Sequence, residues 1–469
     1  MFCNRKENCI MSAQSQDSRA TFSGKLGYVL ATAGSAVGLG NIWRFPYLAA
    51  KYGGGIFLLV YLILVVTFGY SLIISETALG RKTGKSPVGA YHYFSRSPFA
   101  TFGGWINAII PMIICPYYCV IGGWVLRYLA GYLAGGVHEL AGENYFTDFI
   151  SSAGSIEGWF LVFALCTLAV IIFGVQNGIE RASKIMMPVL VVLAVVVAIY
   201  SMTRPGAAGG IKYFLIPDFG RFSWMTVVVA IGQMFYSLSC AMGILFTYGS
   251  YMKKDVSIEK STFEVAFFDT LIAVLAGLMI IPAVFAFSGE NAAENLQAGP
   301  SLMFITMPKI FENMGIGMII GIAFFLLVFF AALTSAVSLA ESCASTLQDE
   351  WHVGRKAATL IVGVIMLVLG SLSSFGFNLL SNIRIFGMDF LDFFDFLSNS
   401  VMMPIAAMAT CLLVLRSATL NGIASEVTAC GAGFRQRKIY NFIMKYLAIV
   451  FLGVILISSV LNVLGVISM

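Results

Sequence analysis

The sequence predicts an all-α polytopic membrane protein, and three observations support that class. Of the 469 residues, 59% are hydrophobic and only 11% are charged, whereas soluble domains carry about 25% charged residues. The apolar residues gather in runs that can cross a bilayer, which takes about 20 residues as a helix. Small and polar residues interrupt two of these runs. We therefore expect membrane-spanning helices, two of which are broken within the membrane.

Eleven segments fit a membrane-spanning helix. They cover approximately residues 26–50, 56–80, 100–133, 157–175, 182–202, 223–250, 262–288, 315–348, 355–374, 392–416 and 437–467. The chain then divides into a tail, two sets of five helices and a last helix. These parts are residues 1–25, 26–204, 205–417 and 418–469.

The loops predict the orientation, because cytoplasmic loops collect Lys and Arg. With the N-terminus in the cytoplasm, about 20 of the 28 basic residues fall on the cytoplasmic side. The loop at residues 134–156 is acidic and falls outside. An odd number of helices places the C-terminus outside as well. The polar residues 1–25 precede a full-length span, which favours a cytoplasmic tail over a cleaved signal peptide.

The first apolar segment contains an unusual group of residues. Gly34, Gly38 and Gly40 follow one another closely, and Asn41 and Arg44 come next. Glycine weakens a helix, and an arginine at membrane depth needs water or a partner. A Gly-rich packing face would explain Gly34 and Gly38 but neither Asn41 nor Arg44. The pattern favours a broken helix that lines a site.

The sixth segment repeats this feature. Residues 237–243 read Ser-Leu-Ser-Cys-Ala-Met-Gly and interrupt an apolar run. One interrupted helix thus leads each set of five, which indicates an inverted repeat of the kind found in secondary transporters. Coincidence remains the alternative, because Gly and Ser are common in membrane helices.

Composition argues against several other classes of protein. The net charge of +5 fits membrane orientation, and no basic domain offers a nucleic-acid surface. Most of the nine cysteines lie in apolar segments and none lies in a predicted external loop, so we expect no disulfide framework. His92, His138 and His352 fit no zinc pattern. Without a nucleophile–base pair or a metal cluster, we do not expect an enzyme.

Several motifs make the chain recognisable. Gly34-Ser-Ala-Val-Gly-Leu-Gly-Asn-Ile-Trp-Arg-Phe-Pro-Tyr47 resembles the first-helix signature of the neurotransmitter:sodium symporter family. The similarity continues through Gly53-Gly54-Gly55, Glu76 and Gly80-Arg81, through Gly232-Gln233, Thr247-Tyr248 and Ser250-Tyr251, and through Phe330-Ala331-Ala332-Leu333-Thr334-Ser335. It covers nearly the whole chain. With eleven helices, the chain resembles the bacterial branch of the family. This resemblance implies a location in the cell (inner) membrane of a bacterium.

The resemblance implies Na⁺-coupled symport of a small amine-bearing solute. It also implies a five-plus-five inverted repeat in which helices 1 and 6 are unwound at the midplane. Two Na⁺ sites follow. The first is formed by Ala36, Asn41, Ser237 and Asp269, with the register of the seventh helix open by one residue. The second is formed by Gly34, Val37, Ala331, Thr334 and Ser335.

The resemblance also implies the kind of substrate. Relatives that carry decarboxylated amines have an acid at the position of Gly38. A substrate of this chain should therefore bring its own carboxylate, as an amino acid does. The implied pocket is mostly apolar, which favours a hydrophobic amino acid. It consists of Ala36, Gly40, Ile114, Tyr118, Tyr236, Ser239, Met242, Ser335 and Leu339. A fixed carboxylate at Asp269 could replace the chloride that animal relatives need, so we expect chloride-independent transport.

Two pairs of charged residues resemble the gates of the family. Arg44 and Asp395 resemble the external gate, with Asp392 as a competing partner and Tyr118 and Tyr236 as the lid. Arg19 and Asp349 resemble the internal gate, backed by Tyr251. The aromatic residue three positions after Arg19 is Phe22 rather than the Trp that is usual in the family. This difference predicts that the internal gate, the latch formed by Arg19 and Asp349, is weaker. Glu76 should brace the unwound stretch by accepting backbone N–H groups, whereas Glu341 has no assigned role.

Residues 299–313, between the seventh and eighth spans, are too short to cross the membrane and should form an external loop with a short helix.

Two other functions remain open on the sequence alone. A sodium-conducting channel could use the interrupted helices, and steady Na⁺ current without solute would reveal it. A transporter-like amino-acid sensor would bind its ligand without moving it. The oligomeric state, the amino acid carried, the number of Na⁺ ions and proton exchange also stay open.

Overall fold

The computed structural model describes residues 19–289 and 302–463, and its chain is helical almost throughout. Within these two ranges, nine helices are long and apolar enough to cross a membrane. The first and sixth predicted spans are not among the nine, because each is divided into shorter pieces.

The helices are labelled α1 to α19. In chain order they are α1 (Lys25–Ala36), α2 (Phe45–Lys51), α3 (Gly55–Thr83), α4 (Pro87–Phe94), α5 (Pro98–Leu133), α6 (Val137–Leu140), α7 (Tyr145–Ser151), α8 (Ala153–Ile172), α9 (Val175–Met202), α10 (Ala207–Leu215), α11 (Trp224–Ser237), α12 (Ile244–Ser250), α13 (Ile258–Ser288), α14 (Met307–Glu312), α15 (Gly317–Trp351), α16 (Arg355–Phe375), α17 (Phe390–Ala418), α18 (Leu420–Val427) and α19 (Arg437–Ser458).

The first break separates α1 from α2. Helix α1 ends at Ala36, and Val37 is extended, with φ −76° and ψ 94°. One π-helical turn, Gly40–Arg44, then leads directly into α2. The carbonyl oxygens in the last turn of α1 accept no hydrogen bond from a following helical turn, so they are free to bind other groups. The glycines at 38 and 40 therefore lie where the sequence predicts unwinding.

The second break separates α11 from α12. Three of its residues adopt positive φ, at 54° for Ser239, 59° for Ala241 and 73° for Gly243. Left-handed backbone is rare for residues with a Cβ atom and costs free energy, so the surroundings must hold it in place. Part of that support comes from Glu76, whose Oε1 accepts the backbone N–H of Ala241 at 2.9 Å.

Five short helices were not expected from hydropathy. They are α4, α6, α7, α10 and α18, none longer than nine residues. Helices this short carry too few turns for an apolar period to stand out. The predicted short external helix between spans seven and eight corresponds to α14, while residues 299–301 of that loop lie outside the described part.

Burial distinguishes an inner group of helices from an outer group. In the most apolar 18-residue stretch of α5, 78% is buried, whereas in that of α19 only 28% is buried. Large apolar side chains on α9 are exposed, among them Ile185, Val192 and Ile199. An outer surface of this kind suits a bilayer and would be unfavourable in water. The broken helices α1 and α11–α12 lie inside, and nearly all of their central residues are buried.

Candidate functional site

A buried polar cluster forms where the two broken helices meet α13. Asn41 Nδ2 donates to Asp269 Oδ1 at 2.7 Å and to the Asp269 carbonyl at 3.1 Å. Ser237 Oγ donates to the same carboxylate at 2.8 Å. Asn41 and Asp269 have no exposed surface, and Ser237 has 1%. Three of the four residues predicted for the first sodium site, Asn41, Ser237 and Asp269, are thus in direct contact.

Tyr61 on α3 belongs to the same cluster, although the sequence did not single it out. Its hydroxyl lies 2.9 Å from Asp269 Oδ2 and 3.1 Å from Ser237 Oγ. In an apolar run, a tyrosine that binds a site looks the same as one that packs in a core. Only the fold reveals that α3 passes behind Asp269.

The cluster has the electrostatics of a cation site. All of the groups that bond to the Asp269 carboxylate are neutral, and no Lys or Arg among the described residues forms an ion pair with it. An uncompensated carboxylate inside a membrane protein is costly. A small monovalent cation would balance the charge, and carboxylate, amide and hydroxyl oxygens are suitable ligands for it.

The second predicted cation site joins the end of α1 to α15. Ser335 Oγ lies 2.9 Å from the carbonyl oxygen of Ser35, 3.3 Å from that of Gly34 and 3.5 Å from that of Val37. The hydroxyl of Thr334 instead bonds to its own helix, at 2.9 Å from the Phe330 carbonyl and 3.1 Å from that of Ala331. Carbonyl and hydroxyl oxygens therefore converge here without any carboxylate.

Between these two clusters lies a small cavity, which measures about 320 Å³ when the space open to its surroundings is counted. All nine residues that the sequence predicted for a substrate pocket line it: Ala36, Gly40, Ile114, Tyr118, Tyr236, Ser239, Met242, Ser335 and Leu339. Ser35, Gly38 and Ile244 also line it and were not predicted as pocket residues. The lining combines apolar side chains, such as Ile114 and Leu339, with the hydroxyl groups of Ser239 and Ser335.

Gly38 and Gly40 have no room for a side chain. A Cβ atom on Gly38 would lie 2.5 Å from Ser335 Oγ and 2.6 Å from Tyr118 Oη. A Cβ atom on Gly40 would lie 2.6 Å from the ring of Tyr236. Tyr118 Oη also accepts the backbone N–H of Leu39 at 2.9 Å. The glycines thus allow the aromatic residues and the unwound backbone to approach closely.

A wider chamber lies on the other side of Tyr236 and measures about 1130 Å³ when the space open to its surroundings is counted. Arg44, Asp392 and Asp395 all line it. Among the described residues, Arg44 forms no ion pair with either acid; its guanidinium lies 5.2 Å from the centre of the Tyr236 ring. Asp395 Oδ1 accepts from Tyr117 Oη at 3.1 Å and from Asn399. The predicted external pair is therefore apart in this structure.

The predicted internal pair is closed. Arg19 forms an ion pair with Asp349 and also donates to Ser250 Oγ and Ser345 Oγ, both at 2.8 Å. Its guanidinium lies 5.0 Å from the centre of the Tyr251 ring. Asp349 Oδ2 accepts the backbone N–H of Ser86 at 2.7 Å. The latch thus ties the N-terminal segment to α12, to α15 and to the start of α4.

Phe22 closes the same end of the molecule. Its ring packs edge to face against Tyr28, Tyr248 and Tyr251, with centroid distances of 5.8, 5.5 and 6.1 Å. The side chain is 1% exposed. Although it is smaller than the Trp of relatives, Phe22 is fully packed, so the expected weakness of the latch is not visible in these contacts.

Glu341, which had no assigned role, is part of the internal closure. It is fully buried, accepts from Tyr251 Oη at 2.7 Å and forms an ion pair with Arg355. Arg355 also donates to the Ile171 carbonyl at 2.8 Å. Sequence reasoning missed Arg355, because a basic residue at the start of a helix is usually read as an orientation signal.

Comparisons with known proteins agree with this architecture. Residues 19–135 and 131–466 match the model of the Sodium:neurotransmitter symporter family. The chain is 32% identical to an uncharacterized sodium-dependent transporter of Bacillus subtilis, YhdH, over 97% of this chain and 100% of that one. It is 28% identical to the human sodium- and chloride-dependent GABA transporter 2, over 76% of this chain and 68% of that one.

A solved structure also matches. The structure of MhsT in complex with L-phenylalanine superposes with a TM-score of 0.86 and 35% sequence identity. The match covers 94% of this chain and 100% of that one.

Proposed function

The chain belongs to the sodium:neurotransmitter symporter family, and on that premise we propose that it carries a hydrophobic L-amino acid together with Na⁺ by alternating access. The observation that carries the proposal is the position of Asp269. This carboxylate is fully buried at the meeting point of both helix breaks, among neutral donors, and beside a cavity that residues of both broken helices line.

Two Na⁺ ions are the proposed coupling ions. The first would bind at Asp269, Asn41, Ser237 and the Ala36 carbonyl, where it balances the buried negative charge. The second would bind between the carbonyls of Gly34, Val37 and Ala331 and the hydroxyls of Thr334 and Ser335. The hydroxyl contacts of Ser335 with the end of α1 support this position.

The shape and polarity of the cavity support an apolar amino acid as substrate. Gly38 leaves no space for an acidic side chain that could pair with an amine. The carboxylate of the substrate would instead complete the shell of the first Na⁺, close to the unwound backbone near Tyr118. Its side chain would lie among Ile114, Met242 and Leu339. MhsT, which shares the fold, was solved with L-phenylalanine.

Alternating access would use the two charged pairs in turn. The inner pair, Arg19 with Asp349, is closed, and the outer pair, Arg44 with Asp395, is apart. This combination supports an outward-facing state with the cavity nearest the wide chamber. Closure of the outer pair over a bound substrate and release of the inner pair would complete the cycle.

We further propose that transport does not need chloride. The carboxylate of Asp269 lies within hydrogen-bond distance of Tyr61 and Ser237. It would supply a fixed negative charge beside the first Na⁺, which makes a second, mobile anion redundant. Replacing chloride by gluconate should leave the initial rate of uptake unchanged, and a loss of uptake would contradict this part of the proposal.

The two interrupted helices extend the nine long helices to a proposed total of eleven spans. In this arrangement residues 26–204 and 205–417 are the two repeats, residues 1–25 are a cytoplasmic tail and residues 418–469 carry the last helix. The N-terminus would lie in the cytoplasm of a bacterium and the C-terminus outside. Cysteine labelling from each side of the inner membrane tests this orientation.

Equilibrium binding in detergent tests the assignment of the site. Radiolabelled L-phenylalanine and L-leucine should bind the purified chain in Na⁺ and not in K⁺. By linkage, a saturating amino acid should raise the affinity for Na⁺ by the same factor by which Na⁺ raises the affinity for the amino acid. Binding that is indifferent to Na⁺ would contradict the proposal. Saturable binding without transport would favour a sensor.

A further inference from the structure

A second cleft lies away from the central cavity, where the start of α13 meets the loop that leads into α19. It encloses about 1040 Å³, counting the part that is open to the surroundings. Tyr70, Glu259, Lys260, Glu264 and Arg435 contribute to its lining. Nothing in the transport mechanism uses this cleft.

Both acids of the cleft are already engaged. Glu259 accepts from Tyr70 Oη at 3.0 Å and from the backbone N–H groups of Arg435 and Gln436, both at 3.1 Å. Glu264 forms an ion pair with Lys25. Only Glu264 is neutralised by a cation, whereas Glu259 bonds to neutral donors and keeps its negative charge.

The two cations of the cleft are in the opposite situation. Within the part of the chain that the structure describes, neither the Lys260 ammonium nor the Arg435 guanidinium has a hydrogen-bond or ion-pair partner. Both residues are exposed. Two unpaired cations therefore face one unpaired carboxylate, that of Glu259, so the cleft has a net positive charge and is complementary to an anion.

An apolar groove continues from the cleft. The two share Tyr70, Phe263 and Gln436. The groove encloses about 560 Å³, and most of its lining comes from Leu62, Val65 and Val66 of α3 and from Ala266, Phe267 and Thr270 of α13. Its surface is far more apolar than that of the cleft, so the ligand that fits both parts must be amphipathic.

The dimensions match one leaflet of a bilayer. Ten residues separate Lys260 from Thr270 on α13, which corresponds to roughly 15 Å at 1.5 Å per residue. Half of a hydrocarbon core of about 30 Å has the same length. A molecule with its charged end at Lys260 and its chain in the groove would therefore lie as a lipid lies in the membrane.

We propose that this cleft and groove bind a glycerophospholipid, with the phosphate between Lys260 and Arg435 and one acyl chain along the groove. Basic pockets between membrane helices attract phosphate head groups. An anionic head group such as phosphoglycerol is favoured over a zwitterionic one, because the cleft presents two unpaired cations and only one unpaired carboxylate, that of Glu259. A sterol would leave the two cations without a partner.

Titration of the purified full chain with phosphatidylglycerol, followed by native mass spectrometry, tests the proposal. The double variant Lys260→Gln/Arg435→Gln should bind the lipid about 25-fold more weakly, since each basic residue near a head group contributes about one kcal/mol, a factor of about five. The matched control Lys356→Gln/Lys438→Gln, which removes two exposed cations outside the cleft, should bind as the parent does. Equal affinity of the two double variants would overturn the proposal.

Two competitors that each contain one part of the lipid show whether the site recognises the phosphate, the acyl chains or both. Glycerol 3-phosphate has the phosphate without the chains, and diacylglycerol has the chains without the phosphate. Each should compete at least tenfold less well than phosphatidylglycerol. If glycerol 3-phosphate competes equally, the cleft is a free-phosphate site and the proposal fails.

A variant of the groove provides a test that leaves the charges intact. Val66→Trp adds bulk to an exposed residue of the groove lining, and Val192→Trp adds the same bulk to an equally exposed residue of α9. Only Val66→Trp should reduce the thermal stabilisation by phosphatidylglycerol. Equal stabilisation of both variants would exclude the groove as the binding site of the acyl chain.

Discussion

Asp269 carries the negative charge of the central site in a single, fully buried side chain. Its oxygens accept from Asn41 and Ser237, with Tyr61 in reach. Asn, Ser and Tyr are neutral, so the charge is balanced only when a cation binds. The affinity for Na⁺ should therefore depend strongly on this one carboxylate.

We predict that Asp269→Asn weakens half-saturation by Na⁺ about tenfold to a hundredfold. Hydrogen bonds to a charged group contribute about 1.5–3 kcal/mol each, and about 1.4 kcal/mol is a factor of ten in affinity. The measurement is Na⁺-dependent binding of the amino acid. Asp255→Asn removes an exposed loop acid and should have no effect. An unchanged Na⁺ affinity in Asp269→Asn would refute the first sodium site.

Gly38 tests the packing of the cavity. We predict that Gly38→Ala weakens amino-acid binding about tenfold, because the added methyl would lie 2.5 Å from Ser335 Oγ and 2.6 Å from Tyr118 Oη, and overpacking costs about 1–3 kcal/mol. Gly232→Ala is the control, since a Cβ atom there meets nothing within 4 Å. If both variants bind as the parent does, the contact at Gly38 is not part of the binding site.

Single residues also mark the limit of what the sequence could predict. The motif around residues 34–47 led to the correct family, and the nine residues it implied for the pocket line one cavity. Tyr61 and Arg355 were missed, because neither stands out from an ordinary core tyrosine or a basic helix start. Their roles depend on contacts between distant helices, which one sequence does not reveal.

At the scale of elements, the break between α11 and α12 depends on left-handed backbone. Ala241 has φ 59°, where a β-branched side chain clashes with the backbone. We predict that Ala241→Val lowers the thermal stability of the protein and abolishes amino-acid binding, whereas Ala241→Gly keeps both. A melting curve and a binding isotherm on the same preparations decide the matter. Normal behaviour of Ala241→Val would mean that this conformation is not required.

The inner latch holds the N-terminal segment against α12 and α15. We predict that Arg19→Gln makes a reporter cysteine at Ser342 react several-fold faster with a thiol reagent. Ser342 is fully buried behind the latch, and loss of the ion pair with Asp349 favours opening. Lys356→Gln removes an exposed cation nearby and should not change the rate. Equal labelling rates in the two variants would argue against a gating role.

Hydropathy predicted the long helices well and the connecting helices poorly. The predicted span at residues 355–374 corresponds to Arg355–Phe375, because twenty apolar residues give a strong signal. The helix Ala207–Leu215 is too short for such a signal. The two breaks were visible because glycine and polar residues are unusual inside apolar runs.

For the whole molecule, the structure combines a closed inner latch with an open outer chamber. Glu341, Tyr251 and Arg355 reinforce the inner closure, while Arg44 and Asp395 are apart. Whether each charged pair is closed or apart could not be predicted from the sequence, because both arrangements would use the same residues. The family, by contrast, is confirmed by a match over nearly the whole chain.

Reconstitution into liposomes tests the central claim most directly. With an inward Na⁺ gradient and −100 mV, each Na⁺ that enters contributes about 2.3 kcal/mol, so two ions allow about a thousandfold electrical contribution to accumulation. We predict that one or a few apolar L-amino acids accumulate with inward Na⁺ and not with inward K⁺, with or without chloride. Uptake at the same rate in Na⁺ and K⁺ would contradict sodium coupling and both proposed ion sites.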